Sequence, residues 1–206
     1  MYGQWQEPET GGPVMVESLA DAQQGPTCGF EAVENVIQLF RPVPNSISGT
    51  DLLWRADGRG GVLWQDDGPV LEPWAYQGLL ADYGVAAEWQ VYDAQALVNA
   101  VQANRGVLAV VDAHQLRPSY YPSPESWHAV TVTNVIADPH DHVVEFVGLD
   151  SNFPGKQQRW KLNAFTNAAS SWMYTPLLIT TQPIRWRRRI SHYLRQWDGS
   201  LVAMAG

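Results

Sequence analysis

The stretch QQGPTCGFEAVENVIQLF, residues 23–40, decides how the chain is read. Within it Phe30, Val33, Val36, Ile37 and Phe40 recur at intervals of three and four, the spacing of one helix face. Thr27 stands at the N-cap position, and Glu31 falls in the first turn, where a carboxylate suits the helix dipole. Pro42 and Pro44 stop the helix, and Gly25 and Pro26 form the turn that enters it. The spacing therefore predicts a helix over residues 28–40 with Cys28 at its first position.

That position matters chemically. The thiolate is the attacking form of cysteine, and a helix N-terminus lowers a thiol pKa because its dipole and free amides favour negative charge. Taken alone, Cys28 reads equally well as a small buried hydrophobe, so its partners must decide. The chain holds one cysteine, which excludes an internal disulfide and a cysteine-cluster zinc site.

Outward from this helix, residues 1–13 are polar and rich in Gly and Pro, a flexible lead-in. A single domain is expected over residues 14–182, opening on a short strand in PVMVESL, and a basic helix and tail over residues 183–206. Between them the pattern predicts a short helix at 50–55, a loop at 57–69, a helix at 72–84 and a strand at 86–92. An amphipathic helix follows at 93–106, with Asp93 as N-cap and Gly106 as C-cap, and then a strand at 107–113. WHAVTVTNVIA (127–137) and HVVEFVGLD (142–150) read as a hairpin joined by DPHD. A strand edge and a helix follow in 156–171, a last strand in 172–181 and a terminal helix from 184. Early helices followed by a run of antiparallel strands is an α+β order.

The hairpin supplies the partners. His128 opens one strand and Asp150 ends the next, so both lie at the open end, where the acid can orient the imidazole. Asn152 is the alternative orienter. Gln23 and Gln24 precede the cysteine by five and four residues, within reach for a side-chain amide to share an oxyanion with the Cys28 N–H. The remaining histidines carry less weight. His140 and His142 sit with Asp138 and Asp141 on a polar turn and read as solubility, not as a metal site, while His114 and His192 take no role. No G-x-S-x-G elbow occurs, and DGRGG has neither the lysine nor the preceding strand of a phosphate loop. No metal and no cofactor is expected.

Hydrophobic residues make up 45% of the chain and charged ones 17%, a globular balance, and the ten tryptophans read mainly as core. Net charge is −8 but uneven: residues 1–155 hold 20 acids and 5 bases, net −15, and residues 156–206 hold 8 bases and 1 acid, net +7. Arg185, Arg187, Arg188 and Arg189 are read as a solvated helix face or a contact for an acidic partner, in this chain or another. Nucleic acid is not expected, since nucleic-acid domains are usually basic overall. No stretch approaches the apolar length of a membrane helix, and the first residues lack the basic start and apolar run of a secretion signal. The expectation is a soluble protein of the cytoplasm, or one exported by a non-classical route.

The order of these parts resembles the papain-like cysteine peptidase superfamily, and within it the bacteriocin-processing (double-glycine) peptidase-like branch. The resemblance rests on Gln followed by TCG opening the helix, LLADYGV before a strand, DAQALVNAVQANRGVLAVV, WHAVTVTNV and VGLDSN, and spans about residues 14–181. It implies a papain-like fold in which an N-terminal nucleophile helix packs on a mostly antiparallel β-sheet. It also implies a bacterial thiol hydrolase acting on a peptide or protein, with Cys28 as nucleophile, His128 as base, Asp150 as orienter and an upstream Gln in the oxyanion hole. Transglutaminases and deamidases share the acyl-thioester and fit H-A-V and L-D-S-N nearly as well. A non-catalytic binding module on the same fold is the remaining alternative.

Overall fold

A computed structural model gives the fold of residues 27–40, 47–66, 68–121, 123, 126–154, 156–170 and 177–184. The lead-in, the strand expected from residue 14, Gln23 and Gln24, and the basic segment with Arg185, Arg187, Arg188 and Arg189 lie outside these described residues.

Helix α1 (Cys28–Phe40) has the predicted bounds, and the Thr27 carbonyl accepts the N–H groups of Phe30 and Glu31 at 2.9 and 3.1 Å. Helix α2 (Gly49–Asp57) is longer than the spacing predicts because Ser48 and Asp51 close a capping box at its start. Where the sequence leads one to expect a loop, β1 (Val62–Gln65) and β2 (Gly68–Leu71) instead pair antiparallel. Local composition disfavours strands here, but Leu71 is buried and Val62 packs beside it in the core, a tertiary gain that outweighs propensity.

Helix α3 (Pro73–Asp82) starts on a proline at its first turn, and β3 (Ala87–Gln90) follows. Helix α4 (Ala94–Gln102) is capped as expected by Asp93, whose carboxylate accepts the Ala96 N–H at 2.7 Å. Its other end differs from the expected Gly106 cap. Ala103 is the C-cap and Asn104 takes the left-handed turn (φ 58°), while Gly106 lies inside the next strand. There an added Cβ would stand 3.2 Å from Thr180 and Val36, so the glycine serves close packing rather than chain reversal.

The chain continues through β4 (Arg105–Asp112), α5 (Ala113–Leu116), β5 (Trp127–Ala137) and β6 (Val143–Leu149). It then forms β7 (Gln158–Lys161), α6 (Leu162–Ser170) and β8 (Leu177–Pro183). Six strands form one sheet in the order β3-β8-β4-β5-β6-β7, every neighbouring pair antiparallel. The class is therefore α+β.

Successive residues of a strand point to opposite faces, and both faces of this sheet are covered. Leu108, Ala129 and Leu178 meet α1, α2 and α3 on one side, around Phe30, Ile37 and Leu79. Val107, Ala109, Val130 and Ile179 meet α4 and α6 on the other, around Phe146 and Phe165. Burial on both faces explains why VLAVV is a continuous apolar run instead of an alternating one. Each fully buried ring or branched chain contributes about 1.5–3 kcal/mol. Among the described residues no helix is long and apolar enough to cross a membrane.

Candidate active site

Three elements converge at one end of the sheet: the first turn of α1, the first residues of β5 and the chain leaving β6. Helix α1 is pressed against β5 and β4, with Phe30 and Val33 in contact with the core that includes Ala129. That packing sets Cys28 beside His128. Thr131 pairs with Leu149 across the hairpin, so Asp150 falls a diagonal step from His128 rather than directly opposite. The diagonal is bridged: His128 Nε2 and Asp150 Oδ1 are 2.8 Å apart. Both residues are buried, with only 5% and 3% of their surface exposed.

The ring thus meets an acid on one side and the half-buried Cys28 thiol, with which it also hydrogen-bonds, on the other. Burial pushes the Cys28 thiol up. The charge of His128, its hydrogen bond and the backbone N–H groups of Ala129 and Gly29 outweigh burial, and the thiol ends below its ordinary value. Burial likewise lowers His128, but the Cys28 thiolate and the Asp150 carboxylate prevail and push it up to about 10. The two charges thus favour one another: an imidazolium at His128 lowers the thiol, and a thiolate at Cys28 raises the imidazole.

Asp150 is itself fixed. The Asn152 backbone N–H donates to the same Oδ1 at 2.9 Å, and the Phe153 N–H donates to the Asp150 carbonyl at 2.9 Å, a tight Asx-type turn. The side chain of Asn152, the alternative orienter, is directed elsewhere: its amide Nδ2 donates to the Tyr121 hydroxyl at 2.6 Å. The Tyr121 ring lies over His128 at 5.6 Å between centroids. Behind it Tyr120 packs on Phe153 at 4.8 Å, and the Arg117 guanidinium stands over the Phe153 ring at 4.2 Å. Arg117 also donates to Gln158. His114 contacts the Tyr121 carbonyl through Nδ1 at 2.6 Å, so it supports this loop and takes no place beside the thiol.

Sequence reasoning overlooks several members of this neighbourhood. Tyr121 carries no motif. Tyr76, on α3, reaches the first turn of α1, where a Cβ at position 29 would collide with its hydroxyl, so Gly29 permits the approach. Burial first, and the negative charge of Cys28 second, hold the Tyr76 hydroxyl protonated far above the usual phenol range. The only available signal is the glycine that follows the cysteine. A cavity of about 570 Å³ opens beside Cys28 and His128, walled by β2, α3, β3 and the edge of β5. The turn histidines are remote from all this: His142 stands 3.4 Å from Asp138 at the surface. Among the described residues no group of three or more His, Cys, Asp and Glu is placed to hold a metal ion.

No family model and no curated protein matches the chain. A solved structure from Bacillus anthracis, described as a C39-like peptidase, does match, with a TM-score of 0.55 and 10% identity. The match covers 82% of this chain and 97% of that one. At that identity the likeness is one of fold: an α+β architecture shared with a C39-like peptidase.

Proposed function

We propose that the protein is a cysteine-dependent hydrolase that cleaves amide bonds in peptide or protein substrates through a Cys28, His128 and Asp150 triad. The observation that supports this reading best is a buried His128 held through Nε2 by a buried Asp150 while the same ring hydrogen-bonds Cys28 at the start of a helix. A histidine placed only for packing has no need of a fixed acid on one side and a thiol on the other. The C39-like fold is compatible with that role.

In the proposed reaction the Cys28 thiolate adds to the carbonyl carbon and the π electrons move to oxygen. The Cys28 N–H and an upstream amide, Gln23 or Gln24, are the proposed donors to that oxyanion. Collapse breaks the C–N bond, and His128 gives its proton to the departing amine. Water then attacks the thioester while His128 takes one of its protons; the acid departs, the thiolate reforms, and one water has been consumed per bond cleaved. Asp150 keeps the imidazole in the orientation and tautomer both half-reactions need.

The test is incubation with a diverse peptide library, read by mass spectrometry. New termini that vanish with Cys28→Ala and with His128→Ala are the expected result. Products that persist in Cys28→Ala, or an unchanged library at stoichiometric protein, would contradict the proposal.

A further inference from the structure

The cavity beside Cys28 has a chemistry of its own. Its floor is the edge-to-face pair of Tyr76 and Trp89, centroids 5.4 Å apart. The Trp89 Nε1–H is spent on the Pro73 carbonyl at 3.0 Å, so the indole offers the cavity only its apolar body. One wall is the β1–β2 hairpin, through Leu63, Val70 and Leu71; Val110 and Ala129 line the sheet side. Leu63 is 47% exposed although it borders a cleft, apolar surface that a bound group would take out of water. Among the described residues of the lining, Glu72 is the one carboxylate, and it disfavours an acidic occupant.

From this geometry we infer that the cavity is the specificity pocket of the proposed hydrolase, and that it selects a bulky apolar side chain, aromatic or branched aliphatic, carried beside the scissile carbonyl. The inference rests on the Cys28 and His128 reading and adds the substrate class to it. The reasons are volume and lining. About 570 Å³ lies in the range that buries a drug-sized group. A double-glycine substrate presents no side chain and would leave this space unfilled and its walls wet. A bulky apolar group fills it, and the rigid aromatic floor is organised before binding.

Peptidyl acyloxymethyl ketones, which alkylate Cys28 only when their peptide seats in the cleft, test this directly. The series carries Gly, Ala, Leu or Phe at each of the two positions before the reactive ketone, and labelling is followed by intact mass. Each rate is divided by the rate of iodoacetamide alkylation of the same protein, which removes any change in thiol reactivity. Leu or Phe at one of the two positions should exceed Gly-Gly by at least about tenfold, and filling the cavity with Val70→Trp or Val110→Phe should abolish that excess. A Gly-Gly probe as fast as the bulky ones, a preference that survives both fillings, or no labelling by any probe while iodoacetamide still reacts would overturn the pocket assignment. A thiol inert to iodoacetamide as well would instead overturn the catalytic reading beneath it.

Discussion

Asp150 Oδ1 receives two donors, His128 Nε2 at 2.8 Å and the Asn152 backbone N–H at 2.9 Å. Charge and shape at Asp150 should therefore have separable effects. Asp150→Asn keeps an oxygen for both donors and removes the charge. In a serine triad the equivalent change costs about 10⁴ in kcat; here the thiol's pKa is already lowered beside His128, so attack asks less of the acid and the acylation rate should fall less, on the order of 10²-fold. Single-turnover acylation measures it. Gly29 makes a second prediction at this scale. A methyl at position 29 collides with the buried Tyr76 hydroxyl and crowds Leu71, so Gly29→Ala should lower unfolding free energy by about 1–3 kcal/mol. Adding Tyr76→Phe should restore part of that loss in urea titrations. The closeness of His128 and Asp150 is legible in the sequence because a hairpin brings its own ends together. Tyr76 and Tyr121 are not, since what recommends them is a contact with another part of the chain.

Among the elements, α1 and α4 announce themselves through apolar spacing and, for α4, through a capping aspartate whose bond is observed. Helix α2 depends on its cap more heavily, because only Gly49, Leu52 and Ala56 are buried along it. Ser48→Ala removes the side-chain acceptor for the Asp51 N–H and should cost about 1 kcal/mol. Chemical denaturation should show that loss, with the pH dependence of Cys28 alkylation unchanged. The β1–β2 hairpin illustrates why local reading fails where it does. Its strands have four residues each and include Gly68 and Pro69, so propensity argues for a loop. It forms because Leu71 and Val62 have a core to enter, and that core is assembled from α1, α2 and α3.

At the scale of the molecule the decisive feature is β8, which comes last among the strands of the described residues yet lies between β3 and β4. Nothing in its own residues names those neighbours; the pairing is set by long-range packing, so the sequence yields the α+β class but not the strand order. Because one sheet carries both cores, damage on one side should reach the other. Phe165→Ala, on the face opposite α1, should cost about 3–5 kcal/mol. The loss of near-ultraviolet circular dichroism and the exposure of Cys28 should still coincide in one denaturant transition. That sheet also fixes the end at which α1, β5 and β6 meet, and the proposed reaction there requires Cys28 and His128 to stand as an ion pair. The rate of iodoacetamide alkylation as a function of pH, in wild type and in His128→Ala, tests it most directly. The wild-type midpoint should lie clearly below the ordinary thiol value of about 8.5. In His128→Ala it should rise to that value or above it, because the imidazolium is gone while burial, which disfavours the thiolate, remains. Midpoints that coincide in the two proteins, at or above the ordinary thiol value, would contradict it.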